Sequence, residues 1–408
     1  MSERLSESIE QAVSGIAPGA LGVAVSGGGD SMALLHLLAA YGPVRAVTVD
    51  HGLRPEAARE AAFVGEVCAG LGVPHDVLRW HWDGQGNLQD RARRARRRLI
   101  AGWAAPLGIT HVALGHTADD QAETFLMRLA REAGVDGLSG MEPETVSQGL
   151  TWLRPLLGHG RAELRGYLRT RGLAWVEDPS NEDPHYERVR ARRALAALAP
   201  LGIEAGTLAR VSAQLAESRA ALEAQVAALV EANARIEAGD VLIENAALAV
   251  APVEIRRRVL SHALRFVASA EYGPRRAALA RLLDDIAAAR RATVHGCLVQ
   301  PGKRQVRITR EFNALAEIHA RAPGVWDGRW RLEGPEREGL EIRALGPEGL
   351  AQCPDPRASG LPRATLLASP AVWDGDHLVA APLAGVGGNW RAEIFAPQNS
   401  PFARMISH

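Results

Sequence analysis

The sequence predicts an α/β protein whose N-terminal part is a parallel sheet wrapped by helices. Short apolar runs recur through the first part of the chain, and longer helix-like stretches lie between them. This alternation of short strand-like runs and longer helical ones is typical of a parallel sheet. The predicted strands cover residues 21–25, 44–49, 75–80 and 111–114, and the predicted helices cover residues 31–40, 56–71 and 88–104.

A chain of 408 residues is too long for one compact core, so two or three domains are expected. Further helix-like segments cover residues 161–171 and 186–199, and the stretch 207–235, which lacks Gly and Pro, predicts one connecting helix. The expected domains are an α/β domain at 1–205, a mostly helical domain at 206–320 that ends in an extended piece at 293–309, and a small β-rich domain at 321–408.

Lysine is almost absent from the chain. Apart from Lys303 and the histidines, every basic residue is an arginine. A Walker-type phosphate loop needs a lysine after its glycines, so that class of nucleotide site is excluded. Ligases that become adenylated on their own lysine are disfavoured, since Lys303 lies far from every glycine-rich motif. The formal net charge is zero, so a surface that binds nucleic acid must be a local patch.

The three cysteines, Cys68, Cys297 and Cys353, have no short-spaced partner. This spacing indicates a reducing compartment and argues against a Cys-x-x-Cys metal site or redox pair. The N-terminus is acidic and polar, and the apolar stretch at 21–40 is interrupted by a Ser-Gly-Gly-Gly-Asp-Ser segment. Neither a signal peptide nor a membrane span is predicted, and we expect a cytoplasmic protein.

A glycine-rich loop joins the first predicted strand to the next helix. The loop consists of Ser26, Gly27, Gly28, Gly29, Asp30 and Ser31. Its backbone N–H groups and the helix N-terminus can bind an anion, and glycine allows phosphate to approach the backbone closely. The serine hydroxyls can donate hydrogen bonds, while Asp30 can hold a Mg²⁺ ion that bridges phosphates. The alternative is an ordinary turn with an Asp/Ser helix cap, which does not call for three consecutive glycines.

Polar residues also follow two other predicted strands. Asp50 and His51 come directly after the second strand, and Gly115 and His116 come directly after the fourth. Ligands of open α/β sheets bind beyond the carboxyl ends of the strands. We therefore expect both pairs to converge with the glycine-rich loop on one crevice.

A cluster of acids follows the fourth predicted strand. On a helix, His116, Asp119, Asp120 and Glu123 would fall at positions i, i+3, i+4 and i+7, on one face. Three carboxylates and an imidazole suit an ammonium group, a Mg²⁺ ion or proton removal from an attacking amine. The alternative is a capping box between Thr117 and Asp120, which accounts for one of the acids.

The pattern at residues 26–31 resembles the Ser-Gly-Gly-x-Asp-Ser signature of the PP-loop ATP pyrophosphatases. The resemblance implies an adenine nucleotide α-hydrolase-like fold, with ATP and Mg²⁺ as cofactors. Members of this superfamily cleave ATP between the α and β phosphates and adenylate a carbonyl-type oxygen, after which a nucleophile displaces AMP. The loop would bind ATP, and Asp30 would be both a catalytic residue and the Mg²⁺ ligand.

Further segments resemble the tRNA(Ile)-lysidine synthetase family in their order and spacing. They span roughly residues 20 to 195, and a looser likeness covers residues 293–313. The segments are 49–54, 114–124, 128–131, 137–141, 154–157 and 177–181. Because several segments recur in order, this resemblance is more specific than the loop alone.

The resemblance implies an ATP-dependent ligase that joins free L-lysine to a tRNA. In the family, the C2 oxygen of the wobble cytidine in a CAU-anticodon isoleucine tRNA is adenylated, and the lysine ε-amine displaces AMP to give lysidine. The residues that would bind lysine or a metal and help to deprotonate the amine are Asp119, Asp120 and Glu123, and His116 is a further catalytic candidate. The residues that would line the ATP crevice besides the loop are Asp50, His51 and Arg54. Dimers occur in the family, so the resemblance allows a homodimer.

Arginines are the expected contacts to tRNA. They are Arg128, Arg131, Arg154, Arg188, Arg190 and Arg192. The last three belong to an Arg-x-Arg-x-Arg run placed as in the family, where we expect phosphate contacts. The denser arginine run at 91–98 is equally consistent with a solvated helix face. Trp152, Trp175 and Tyr186 are candidates for base stacking, although such residues more often belong to the core.

Three other functions compete with this interpretation. A PP-loop tRNA thiolase would need cysteines to carry sulfur or an iron–sulfur cluster, and the sequence has no Cys-x-x-Cys pair. A small-molecule amidating synthetase would bring a glutaminase domain or an ammonia route, for which no segment is evident. A nucleotide-sensing or RNA-binding module without catalysis would bind nucleotide but release no pyrophosphate.

Overall fold

The structure is a computed structural model, and it describes residues 2–52, 57–82, 88–177, 187–394 and 401–402. The chain forms two compact units, Met1–Arg219 and Ala220–His408. The boundaries expected from the sequence at 205 and 320 stay predictions, since the division in the structure falls inside a helix at Arg219.

The first unit is built on one six-stranded sheet. Its strands are β1 (Leu21–Ala24), β2 (Arg45–Asp50), β3 (His75–Arg79), β4 (His111–Leu114), β5 (Glu144–Ser147) and β6 (Leu150–Leu153). Their order is β3-β2-β1-β4-β6-β5, where β5 runs antiparallel to β6 and every other pair is parallel. The parallel sheet and its four predicted strands are confirmed. The hairpin of β5 and β6 was not predicted, because β5 is polar and alternates between exposed and half-buried residues at the sheet edge.

Helices precede, connect and follow these strands in the chain. They are α1 (Ser2–Val13), α2 (Gly29–Tyr41), α3 (Ala57–Leu71), α4 (Leu88–Ala104), α5 (Ala118–Leu129), α6 (Val135–Leu138), α7 (Arg161–Thr170), α8 (Glu187–Leu198) and α9 (Ala205–Asn233). In the described part of the chain, no single helix is long and apolar enough to cross a membrane. The segments Glu187–Leu201 and Ala205–Asn233 reach such length and hydropathy only when counted together, and they are bent by 97° at the break.

Both faces of the parallel sheet are covered, and its central strands are therefore apolar on both sides. On one face, Val23 of β1 packs in a cluster with Leu34 of α2 and Leu164 of α7. On the other face, Ala24 packs with Ile100 of α4. Since α2 follows β1 and α7 follows β6 in the chain, and both strands run parallel to β4, the starts of both helices lie near the carboxyl ends of the strands.

The second unit contains three antiparallel sheets. Its strands are β7 (Ala234–Glu237), β8 (Asp240–Glu244), β9 (Ala292–Val294), β10 (Cys297–Pro301), β11 (Gln305–Arg310), β12 (Ala320–Arg321), β13 (Gly324–Trp326), β14 (Trp330–Glu333), β15 (Leu340–Ala344), β16 (Pro370–Asp374), β17 (His377–Ala380) and β18 (Arg391–Ile394). The sheets have the orders β7-β8-β11-β10-β9, β12-β15-β16-β17 and β13-β14-β18. The helices are α10 (Asn245–Val250), α11 (Val253–Ala268), α12 (Arg276–Ala287), α13 (Gly346–Gln352) and α14 (Arg363–Leu367).

The segment expected to be mostly helical contains more strand than its sequence predicts. The predicted helix at 207–235 ends at Asn233, and β7 and β8 follow as a hairpin. Its turn residues Ala238 and Gly239 both have positive φ, of 50° and 84°. Two such residues in a row are typical of the tight turns of β-hairpins. The Ala at the first position concealed this turn in the sequence.

A buried carboxylate connects distant parts of the second unit. Asp240 of β8 accepts hydrogen bonds from Arg307 of β11 at 2.7 Å and from Thr365 of α14 at 2.6 Å. Glu237 also pairs with Arg307. Because Asp240 is 2 % exposed, its charge is offset by these partners and not by water.

Substitution of Asp240 by alanine should lower the free energy of unfolding by about 3–5 kcal/mol, because Arg307 and Thr365 lose a buried partner. Thermal or urea unfolding of the full chain would measure this change. The control is Asp285→Ala, which breaks a pair with the well-exposed Arg290 and should cost about 1 kcal/mol or less. Equal losses in both variants would contradict the prediction.

Candidate active site

The glycine-rich loop forms a short turn between β1 and α2. The backbone N–H of Ser26 donates to the Ser31 hydroxyl at 3.1 Å, and that hydroxyl donates to the Gly28 carbonyl at 2.9 Å. Gly27 has a φ of +86°, which favours glycine there. The N-cap of α2 is Gly28, whose position provides no side-chain cap. The loop therefore does not form an ordinary Asp/Ser cap. The backbone N–H groups of the loop are suited to bind an anion.

Gly115 allows the end of β4 to lie against this loop. A Cβ atom at position 115 would lie 3.1 Å from the carbonyl carbon and oxygen of Asp30 and from the Cα of Ser31. These are backbone atoms, which cannot rotate away as a side chain can. The sequence prediction that residues 115 and 116 reach the loop is consistent with this contact.

A cavity of about 190 Å³ lies beside the loop. Its lining is apolar along the strands and polar at the strand ends, which is typical of a ligand pocket. Residues that line it include Val25, Ser26, Val49, Asp50, His51 and Arg96. Of the predicted ATP-site residues, Ser26, Asp50 and His51 thus share one cavity, and Arg54 lies outside the described residues.

His51 and Arg96 give this cavity its polar character. The His51 ring lies edge-on to Trp80, with 5.7 Å between ring centroids. Burial lowers the pKa of His51, and the nearby Arg96 lowers it further, so the imidazole is neutral at neutral pH. Burial also lowers the pKa of Arg96, with Arg97 as a second cause. Arg96 was predicted only as part of an arginine run, because six arginines at 91–98 gave no signal for the one that points into the cavity.

Arg161 joins the acids that the sequence singled out. Its Nε donates to Asp30 at 3.1 Å, its Nη2 to Asp120 at 3.3 Å and its Nη1 to Glu123 at 3.4 Å. Burial alone would lower the pKa of Arg161, but the carboxylates reverse this effect and raise it. Its guanidinium therefore stays charged and bridges the glycine-rich loop to α5. The sequence gave no hint of this contact, because Arg161 was visible only as the first residue of a helix.

Two of the acids also fix the start of a helix. Asp120 forms a capping box with Thr117, accepting its backbone N–H at 2.9 Å. This interpretation of Thr117 and Asp120 is confirmed. Asp119 instead accepts the backbone N–H of Arg161 at 2.7 Å. It thereby satisfies a donor at the N-terminus of α7, whose own N-cap is a glycine.

Glu123 is the most deeply buried of these acids, with 1 % of its surface exposed. Its Oε1 accepts from Arg192 at 2.6 Å as well as from Arg161. Its Oε2 is buried and has no hydrogen-bond partner among the described residues, and the same is true of the Asp30 Oδ1. A buried carboxylate oxygen without a donor is costly, so both atoms suit an incoming cation.

The donor set fits a Mg²⁺ ion at Asp30 in one respect. Mg²⁺ prefers oxygen ligands such as carboxylates. Proteins usually bind this ion through one or two carboxylates, and water and phosphate oxygens complete its coordination shell. Within the described residues, no group of three or more His, Cys, Asp or Glu side chains is arranged to hold a metal. Burial raises the pKa of Asp30, and Arg161 offsets this only in part.

His116 lies before the helix and not on it. The N-cap of α5 is Thr117 and its first residue is Ala118, so the predicted one-face spacing holds only for the residues from Asp119 onward. Burial lowers the pKa of His116 to about 4, while Asp120 opposes the shift. Within the part of the chain that the structure describes, the Nδ1 of His116 has no hydrogen-bond partner. The imidazole is therefore neutral near pH 7.

The arginines predicted to contact tRNA fall into two groups. Arg128 and Arg154 are engaged inside the first unit, since Arg128 donates to the Gly137 carbonyl at 2.7 Å and Arg154 to the Glu142 carbonyl at 2.8 Å. Arg154 is 5 % exposed, which leaves little surface for RNA. The arginines that lie on the surface are Arg131, Arg188 and Arg190, and Arg192 is half-buried beside Glu123.

Trp152 is a core residue at 1 % exposure, and the half-buried Trp175 packs against the core with Arg169 over its ring. Tyr186 and the predicted segment at 178–181 lie outside the described residues. All three cysteines are buried and free. Burial raises the pKa of Cys68, the cysteine of the first unit, to about 11, so this thiol is poorly suited to carry sulfur.

Comparison with known proteins agrees with this geometry. Residues 1–199 match the model of a PP-loop domain family. The chain is 50% identical over 397 residues to a tRNA(Ile)-lysidine synthase of Ruegeria pomeroyi, covering 96% of this chain and 95% of that protein. It is 40% identical to a tRNA(Ile)-lysidine synthase of Zymomonas mobilis, covering 73% of this chain and 90% of the other.

Solved structures are more distant. A U34-tRNA thiolase from Methanococcus maripaludis is 15% identical with a TM-score of 0.45, covering 53% of this chain and 80% of that chain. This likeness is too low to bear on function. The sequence identity to the lysidine synthases extends over nearly the whole chain. From this identity and the PP-loop domain, the chain belongs to the tRNA(Ile)-lysidine synthase family.

Proposed function

We propose that the protein modifies tRNA(Ile) by converting the wobble cytidine of a CAU anticodon to lysidine, using ATP and free L-lysine. The observation that carries the proposal is the bridge by Arg161 between Asp30 of the glycine-rich loop and the acids of α5. In this proposal the loop binds phosphate and the acids of α5 bind a cationic amine, so the two sites would lie side by side. This adjacency is what an adenylation followed by amine attack requires.

In the first step, the loop would hold the ATP phosphates and the adjacent cavity would hold the nucleoside. Asp50, His51 and Arg96 line that cavity, and a neutral His51 can donate or accept a hydrogen bond. Asp30 would hold Mg²⁺ through its unpartnered Oδ1, and the ion would offset phosphate charge when bound. The C2 oxygen of the cytidine attacks the α-phosphorus, the bond to pyrophosphate breaks, and pyrophosphate leaves.

In the second step, the lysine ε-amine attacks C2 of the cytosine. A C–N bond forms, the C–O bond to the adenylate breaks, and AMP leaves with that oxygen. Asp120 and Glu123 would bind the amine, and its protons would pass to a carboxylate or to the neutral His116. Asp119 has a different role in this proposal: it fixes the start of α7, because its oxygen accepts the Arg161 backbone N–H.

The product would change codon reading from AUG to AUA. The enzyme would act in the cytoplasm as a ligase that releases AMP and pyrophosphate, and a homodimer is the assembly that we propose. Arg188 and Arg190 are exposed, and in this proposal they would contact tRNA phosphates. The competing proposal of a tRNA thiolase is disfavoured by the burial of Cys68, Cys297 and Cys353.

The direct test is transfer of labelled lysine. Incubation with ATP, Mg²⁺, labelled lysine and unmodified CAU-anticodon isoleucine tRNA should place the label in the RNA, with one AMP released for each lysine. A parallel reaction with methionine tRNA measures specificity. Absence of transfer, or equal transfer with any amino acid, would contradict the proposed function.

Substitution of Asp30 by alanine should reduce AMP formation by a factor of at least about 10², because charge stabilisation at the phosphates is lost. Binding of tRNA should change little, since Asp30 is half-buried in the glycine-rich loop. AMP release and a filter-binding titration measure the two effects, with Asp285→Ala in the second unit as the control. A loss of tRNA binding at unchanged AMP formation would show that Asp30 has another role.

Between pH 5.5 and 8, the pH profile of kcat/KM for lysine should show no transition that is due to titration of His116. Burial lowers the pKa of His116 to about 4, so the ring is neutral across this interval, and free lysine stays an ammonium ion throughout it. In His116→Asn, the profile of kcat/KM for lysine should keep its shape while its height falls. A step near pH 6.5 in the wild type that vanishes in the variant would overturn this assignment.

A further inference from the structure

Among the described residues that contact one another around Arg161, the acids outnumber the arginines. Asp30, Asp119, Asp120 and Glu123 have four formal negative charges, while Arg161 and Arg192 have two positive charges. Glu123 is 1 % exposed, and no residue that the structure describes donates a hydrogen bond to its Oε2. The cluster is therefore not satisfied by its own arginines and can take up a further cation.

Arg161 occupies the place where such a cation would bind. An ammonium group would be held by oxygens of Asp120 and Glu123. These two residues accept hydrogen bonds from the Nη atoms of Arg161, at 3.3 Å and 3.4 Å respectively. Both distances are long for a charge-assisted hydrogen bond, which is usually about 2.7–2.9 Å. Three acceptors thus share one planar group that cannot approach all of them closely. Contacts of this kind are weak enough to be exchanged for those of a ligand.

The main chain at Arg161 is fixed, so only its side chain is free to move. The backbone N–H of Arg161 is bound by Asp119 at 2.7 Å. The preceding turn is held by His159, which is buried and bonds Ser8 at 2.8 Å and Glu163 at 3.1 Å through its two ring nitrogens. A rotation about the side-chain bonds is therefore the available motion.

We propose that Arg161 is a positioning residue that makes the lysine subsite available in response to ATP, an inference that rests on the proposed function. Without nucleotide, its guanidinium neutralises Asp120 and Glu123 and competes with lysine for them. When ATP binds at the loop, its phosphates attract the guanidinium toward Asp30. The Asp120 Oδ1 and the Glu123 Oε2 are then left for the lysine ammonium, while Arg192 stays paired with the Glu123 Oε1. Arg161 thus links the two half-reactions, because its guanidinium leaves the carboxylates of Asp120 and Glu123 and pairs with the ATP phosphates.

The test is the affinity of lysine with and without nucleotide. Calorimetric titration of the full-length protein with lysine, alone and with Mg²⁺ and the α,β-methylene analogue of ATP, gives the ratio of the two dissociation constants. In the wild type the analogue should tighten lysine binding by at least about 5-fold, the lower end of ordinary coupling between sites. In Arg161→Met, the ratio should fall to within about 2-fold of one, because lysine already binds without competition.

Two further variants separate this role from a structural one. Arg161→Lys keeps one positive charge but cannot span Asp30, Asp120 and Glu123 together, so its ratio should lie between those of the wild type and Arg161→Met. Arg169→Met alters an exposed arginine of the same helix and should keep the wild-type ratio. Melting temperatures of all variants report on folding, and Arg161→Lys serves if Arg161→Met does not fold.

The outcomes are distinct from those of the lysine-transfer assay. If the wild type transfers lysine but its lysine affinity is insensitive to the analogue, the role of Arg161 is overturned while the proposed function stands. The same holds if Arg161→Met keeps the wild-type ratio. If the wild type transfers no lysine, the proposed function fails, and the role of Arg161 fails with it.

Discussion

The guanidinium of Arg161 is the interaction on which the candidate site depends. Asp30, Asp120 and Glu123 come from two different elements and would repel one another if they were brought together alone. One planar cation with several donors can satisfy carboxylates in different directions, which a lysine ammonium does less well. Arg161 reaches this place because α7 starts beside α5. The sheet order, with β6 next to β4, brings the two helix starts together.

Much of the fold could be predicted from local patterns. The four strands of the parallel sheet, the glycine-rich loop and the capping box at Thr117 all follow from periodicity and from spacing of a few residues. The β5–β6 and β7–β8 hairpins could not be predicted in this way. Their strands are short, and each hairpin is stabilised in part by packing against neighbouring strands of its sheet. The propensities of single residues carry no information about such neighbours.

The residues of the candidate site likewise fall into those that local sequence patterns indicate and those that they do not. The acids of α5 and the loop residues were visible, because their chemistry is concentrated within a few positions. Arg161 and Arg96 were not singled out, since nothing near them in sequence says where their side chains point. Arg192 was grouped with surface arginines that meet RNA, and the structure pairs it with Glu123 at 2.6 Å. Long-range charge pairing, across tens of residues, is what the sequence leaves open.

The pairing of Asp30 with Arg161 has a consequence for biosynthesis. The two residues are 131 positions apart, so the glycine-rich loop leaves the ribosome long before its counter-charge does. Until α7 has been made, the acids of the loop and of α5 cannot share that guanidinium, and water must solvate them. The cluster of acids around Arg161 cannot form in this period. Assembly of the cluster is therefore a late event in the folding of the first unit.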